Sequence, residues 1–343
     1  EEELGMALSE SEQIAMWEEV LRLCNVNDQE TVVVLTKPEA RPENVTAAYN
    51  AGIEIGATTI HMEPHIGKSR LCDNAVAMDA MRAADMVIDL VGLHLLRGGE
   101  RSHVLAADTR ILYVTEPPAA LARLMPREDD KRRVCAAGKR IEVAKTMRIE
   151  SAAGTKVECE LGEYAVLYEY GYSDDPGDWD HWAAGFVATW PNETTARGTI
   201  VIDRGDIIFP FKTYVQTPIR VDFEEGYIAE ISGDFDAAYM QEFIEGYNDR
   251  DGFAMSHVGW GLQPRASWTA LGMMDKAETN GNDGRSFYGN FMFSTGPNDD
   301  AGGPRDTPCH LDIPMRNCSI YLDDEPMVLK GEIIPEDQRA DGF

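Results

Sequence analysis

Seven histidines, His61, His65, His94, His103, His181, His257 and His310, are the side chains with the most chemical scope in this 343-residue chain. His310 stands in Pro308-Cys309-His310-Leu311-Asp312-Ile313-Pro314. If that segment is extended, residues two apart face the same side, so an imidazole and a carboxylate are presented together. Such a pair supplies two ligands of a facial metal site. It also serves as an ordinary structural ion pair, and the residues alone leave both readings open. His257, in Met255-Ser256-His257-Val258-Gly259-Trp260-Gly261, can add a third ligand, beside glycines that let another backbone approach closely. Two histidines and one carboxylate with vacant positions suit non-haem Fe(II) and O2 chemistry, because substrate and O2 can occupy the vacancies together.

Other chemistries lack their residues. The six cysteines, Cys24, Cys72, Cys135, Cys159, Cys309 and Cys318, form no CxxC pair and no dense framework, which argues against a zinc ribbon and a disulfide-stapled module. They read as small buried hydrophobes in a reducing cytoplasm. Gly98-Gly99 and Gly302-Gly303 have neither a P-loop Lys-Ser/Thr nor a dinucleotide fingerprint, so no nucleotide cofactor is expected. There is no Gly-x-Ser-x-Gly elbow, and Ser294 has no base near it in sequence, which argues against a serine hydrolase. Lys and Arg number 31 against 60 Asp and Glu, and the resulting net charge of -29 repels nucleic acid and anionic membrane surfaces. No apolar run approaches the roughly 18 residues of a membrane-spanning helix. Glu1, Glu2 and Glu3 stand where a basic, then apolar leader would begin.

The elements that must position these residues differ between the two ends of the chain. An amphipathic stretch over 12–23, capped by Ser9 or Ser11, precedes the β-branched run TVVVLT at 31–36. Pro42 opens a helix, and strands over 57–62, 86–91 and 110–115 alternate with helices over 73–84 and from Pro117. Continuous apolar strands separated by helices predict an open α/β domain with a mostly parallel sheet over residues 1–150. His94 falls at or just past the C-terminal end of one such strand, the edge where open α/β sheets bind ligands. A charged helix over 128–145 closes this part. From 151 to 343, period-two alternation over 157–161, 164–170, 198–203, 207–211, 219–223 and 227–231, with one helix over 236–247, predicts an antiparallel α+β domain carrying the metal site. Residues 178–182, Asp-Trp-Asp-His-Trp, read as an acidic aromatic loop holding His181, and 280–285 and 296–305 read as further loops.

The C-terminal segments Gly289-Asn290-Phe291-Met292-Phe293-Ser294, Asp306-Thr307-Pro308-Cys309-His310-Leu311-Asp312-Ile313-Pro314 and Cys318-Ser319-Ile320-Tyr321-Leu322-Asp323 resemble the 2,5-dihydroxypyridine 5,6-dioxygenases of nicotinic acid degradation. The resemblance covers most of the chain, weakly in the first 150 residues and strongly from about Gly198. It implies a mononuclear Fe(II) enzyme that opens an N-heteroaromatic diol ring with O2 to an N-formylmaleamate, on a fold related to leucine-aminopeptidase-type metallopeptidases. It implies iron ligands His257, Ser294, His310 and Asp312, a ring-hydroxyl base at His94 (with His103 as the alternative), and His181 lining the pocket. It also implies a homo-oligomer, with a small aromatic heterocycle and O2 as the partners. His61 and His65 are left as structural or surface residues. A metallo-aminopeptidase or amidohydrolase on the same scaffold is the rival reading. Those peptidases carry Glu where His257 stands, and a neutral imidazole there favours a single iron over two divalent ions.

Overall fold

The computed structural model describes residues 8–65, 70–91 and 98–340. They fall into two compact units: one made of the residues up to Asp130, Glu169–Ala184 and Ala277–Asn280, the other of Lys131–Tyr168, Gly185–Lys276 and the residues from Gly281 onward.

The first unit is built on a five-stranded sheet in the order Thr58–Met62, Thr31–Leu35, Met86–Asp89, Arg110–Val114, Trp179–Trp182, with every pairing parallel. Val32 to Leu35 and Arg110 to Val114 are buried without interruption, as expected of parallel strands covered on both faces. Val33, Leu35, Met81, Val87, Val104 and Ile111 form one core cluster. Helix Glu10–Leu23 begins at Ser9, where a capping box forms: the Ser9 N–H donates to Glu12 Oε2 at 2.8 Å and the Glu12 N–H to Ser9 Oγ at 3.4 Å. Pro42 starts helix Pro42–Ile55.

The fifth strand corrects the loop reading of residues 178–182. Trp179–Trp182 pairs with Arg110–Val114, with His181 opposite Tyr113. Two polar residues, Asp180 and His181, stand together between tryptophans and both are buried, so neither the exposed-loop nor the buried-strand signature shows in sequence. The Asp180 carboxylate is accommodated by N–H groups of Tyr170 (2.8 Å), Gly171 (3.0 Å) and His181 (2.6 Å).

The second unit holds an eight-stranded antiparallel sheet running Tyr227–Gly233, Ile219–Glu224, Arg197–Ile202, Lys156–Glu160, Thr146–Ser151, Cys318–Leu322, Glu325–Leu329, Glu332–Ile333. Lys156–Glu160 and Ile219–Glu224 alternate buried and exposed residues, the pattern of a sheet with one wet face. A second, five-stranded sheet runs Leu311–Met315, Phe291–Thr295, Met255–Gly261, Phe186–Thr189, Leu167–Glu169, and its central strands are buried almost throughout.

The chain first passes from one unit to the other after Asp130, upstream of the boundary expected near 150, because most of helix Glu128–Val143 belongs to the second unit. Its buried Arg133 donates to Leu262 O (3.3 Å), and Arg132 donates to Asp337 O (2.6 Å) and Arg339 O (3.0 Å). A compositional change at 150 does not register such contacts. Among the described residues no helix is long and apolar enough to cross a membrane.

Candidate metal centre

The strands Met255–Gly261, Phe291–Thr295 and Leu311–Met315 are neighbours, and their register brings four of the expected residues together. Met255 is opposite Thr295 and Val258 opposite Phe293, so Ser256 and His257 together face Ser294. That two-against-one step is a β-bulge, which re-aims a side chain and removes ladder hydrogen bonds. The Ser294 hydroxyl repairs the gap: it accepts from His257 N–H at 2.8 Å and donates to His257 O at 3.2 Å. Ser294 is directly opposite Asp312, placing both side chains on one face of the sheet. Gly259 has the role its type suggested, since a Cβ there would run into Val187 O on the adjoining strand.

Asp312 is the hub. His257 Nε2 and His310 Nε2 each lie 3.1 Å from Asp312 Oδ1, and the three ligating atoms are all within 4.8 Å of one another. His310 Nδ1 is 3.0 Å from Thr295 O, a carbonyl that can only accept, so Nδ1 carries the proton. In the neutral tautomer its Nε2 then aims a lone pair at a carboxylate oxygen. Two acceptors at that separation need a proton or a cation between them. Asp312 Oδ1 and His257 Nδ1 are also buried without a well-formed hydrogen bond. This donor set, two imidazole nitrogens and one carboxylate oxygen converging from one side, fits a divalent transition metal.

Electrostatics within the group point the same way. Burial opposes ionisation of Asp312, but the neighbouring His310 and the Arg285 guanidinium overcome it and hold the carboxyl well below the usual range. Burial likewise works against protonating His310, and the Asp312 carboxylate reverses this and raises its affinity for a proton. The His257 ring has Phe186 (centroids 6.1 Å apart, 70°) and Trp190 (6.0 Å, 80°) edge-on to it, a dry wall. His310 is 34% exposed against 13% for His257, so the group opens on the His310 side.

Residue types did not disclose Arg285. It lies in a segment read as a loop, in fact the short helix Asn282–Arg285, and its Nε donates to Asp312 Oδ2 at 2.9 Å across 27 positions of sequence. No local spacing signals that contact, and none signals Phe186 or Trp190.

The first unit holds the remaining described histidines. His181 is 8% exposed, with Nδ1 3.7 Å from Glu169 Oε2 and its ring against Tyr113 (5.4 Å) and Trp179 (6.3 Å). His103 is exposed on helix Gly98–Leu105. His61 Nε2 is 2.7 Å from Thr36 Oγ1. His94 lies outside the described residues.

Comparison with known proteins places the chain in a family. The family model for 2,5-dihydroxypyridine 5,6-dioxygenase, NicX, matches residues 12–335. The 2,5-dihydroxypyridine 5,6-dioxygenase of Pseudomonas putida KT2440 is 44% identical over 351 residues, covering 98% of this chain and all of that one. The solved structure of 2,5-dihydroxypyridine dioxygenase from the same organism superposes with a TM-score of 0.94 at 44% identity, over 97% of this chain and all of the other. Wild-type AmpT from Thermus thermophilus superposes with a TM-score of 0.59 at 13% identity, over 94% and 99% of the two chains, a likeness of fold alone. By sequence over nearly its whole length, and by fold, the chain belongs to the 2,5-dihydroxypyridine 5,6-dioxygenase family.

Proposed function

We propose that this ring-cleaving dioxygenase opens 2,5-dihydroxypyridine between C5 and C6, both atoms of O2 entering the product N-formylmaleamate, and that it depends on Fe(II). His257, His310 and Asp312 are the ligands, with Ser294 as a weaker fourth contact. The observation that carries the reading is the convergence of two imidazole Nε2 atoms on one carboxylate oxygen at 3.1 Å each. Bound there, ferrous iron supplies the one-electron chemistry that lets a closed-shell ring react with O2.

The protein does the rest. Asp312 and the two imidazoles bring one negative charge to a divalent ion, and the partly exposed His310 is the side from which the heterocycle would approach. The His310 Nδ1 bond to Thr295 O fixes the tautomer that leaves Nε2 free to ligate. The wall of Phe186 and Trp190 keeps water from the His257 flank. His94 takes the proton of the ring hydroxyl, and His181 holds the ring or the incoming oxygen. Six free cysteines fit a reducing cytoplasm, and a homo-oligomer is the assembly this reading carries.

Anaerobic loading with Fe(II), then addition of 2,5-dihydroxypyridine and O2, tests the reading: O2 is consumed in step with ring absorbance. No O2 uptake, together with hydrolysis of a leucyl amide by the zinc- or cobalt-loaded protein, would overturn it in favour of a peptidase.

A further inference from the structure

Asp312 has two oxygens, and the fold spends unusual effort on the one that faces away from the histidines. Oδ2 accepts from Arg285 Nε at 2.9 Å, and the guanidinium lies over the Phe209 ring with its carbon 3.9 Å from the centroid. Phe209 is itself bound to the Asp312 backbone, its N–H donating to Asp312 O at 2.9 Å and its carbonyl accepting from Asp312 N–H at 3.2 Å. One residue therefore supports both the backbone of the aspartate and the cation that grips its side chain. The short helix bearing Arg285 is fixed in turn. Asn290 Nδ2 donates to Gly284 O (2.8 Å) and Arg285 O (3.0 Å), while Asn290 Oδ1 accepts from the N–H of Gly261, on the His257 strand, at 2.7 Å. Gly281, at φ 84°, starts that helix where any Cβ would strike the Phe209 ring.

We propose that Arg285 is a positioning residue that makes Asp312 a one-oxygen ligand. With Oδ2 held by the Nε–H, only Oδ1 is left for the metal. An unclamped carboxylate can rotate and chelate through both oxygens, as carboxylates readily do. The difference matters because His257, His310, Asp312 Oδ1 and the Ser294 contact leave two of the six positions of an octahedral ion, one for substrate and one for O2. Chelation by Asp312 removes one of them. The inference rests on the metal centre proposed above and adds a coordination number to it.

The test compares wild-type protein with Arg285→Gln, each loaded anaerobically with Fe(II) and titrated with nitric oxide as an O2 surrogate, with and without saturating 2,5-dihydroxypyridine. Wild type gives the half-integer-spin EPR signal of an iron nitrosyl under both conditions. Arg285→Gln keeps one equivalent of iron with an affinity no weaker than wild type. It gives the signal alone, loses it when substrate is present, and has a kcat about 10 to 100-fold lower, the usual effect of removing an outer partner of a ligand. Iron lost from Arg285→Gln to the extent seen in Asp312→Ala overturns the proposal, because Arg285 would then serve binding itself. An unchanged nitrosyl signal with substrate present also overturns it, whatever happens to KM, because that is a substrate-binding role. Arg285→Lys keeps the charge but cannot stack and donate from the same place, and it is read by the same criteria should the Gln variant fail to fold. If wild type itself gives no nitrosyl signal, the metal centre falls; if wild type behaves as stated and the variant matches it, only the role of Arg285 falls.

Discussion

Protonation sets the terms on which His257, His310 and Asp312 would act as the proposed ligands. A metal competes with protons for the imidazole lone pairs, and Asp312 raises the proton affinity of His310. Metal binding must therefore release a proton at a pH where an ordinary histidine is already neutral, and affinity falls as pH drops through that raised value. Calorimetry of Co(II) binding in buffers of different ionisation enthalpy measures the release; His310→Ala and Asp312→Ala should bind no metal at micromolar concentrations, and full occupancy in both would discard the assignment. His94, proposed as the base and not as a ligand, calls for a different readout. His94→Ala should keep its iron yet lose turnover roughly 100 to 10,000-fold, the range for a lost general base. The rate should partly recover toward alkaline pH, where solvent supplies the ionised ring hydroxyl. Near-normal turnover in His94→Ala with an inactive His103→Ala would move the base to the other end of that segment. His310 and Asp312 were legible as a pair because extended chain has period two, whereas Arg285 was not, since its contact with Asp312 spans 27 positions that no local periodicity links.

Among the elements, the bulge at Ser256 and His257 carries the most function. A regular strand would turn every second residue to one face, and the extra residue turns His257 toward Asp312 while leaving its backbone groups for Ser294. Ser294→Ala should therefore cost stability even without metal, about 1–3 kcal/mol for buried backbone groups left unpaired. It should also weaken iron binding, because His257 is no longer held in register. Urea unfolding of the metal-free variant checks the first part; an unchanged midpoint would mean that the hydroxyl serves the metal alone. Legibility followed the same logic at this scale. Thr31–Leu35 and Met86–Asp89 could be read from unbroken apolar runs, and Ile219–Glu224 from alternation. Trp179–Trp182 could not, because its buried Asp180 is reconciled with the sheet by three N–H groups that sequence does not place. Bulges are equally silent in sequence, since register belongs to the pair of strands and not to either one.

For the molecule as a whole the governing quantity is the net charge of -29. Copies of such a chain repel one another at long range, and the repulsion is screened over about 10 Å at 0.1 M salt and about 3 Å at 1 M. The homo-oligomer proposed for this enzyme must gain its stability from contacts shorter than that range, while its assembly is opposed by charge acting beyond it. Added salt should then favour assembly, because it removes the repulsion and leaves apolar contacts intact. Light scattering across ionic strength should show the mass rising to a fixed multiple of 38.0 kDa by moderate salt, with no further growth once a closed symmetric arrangement is complete. Dissociation on adding salt would mean that the subunits are joined by opposite charges, the reverse of the balance argued here. A mass of 38.0 kDa at every salt concentration would remove the oligomer altogether.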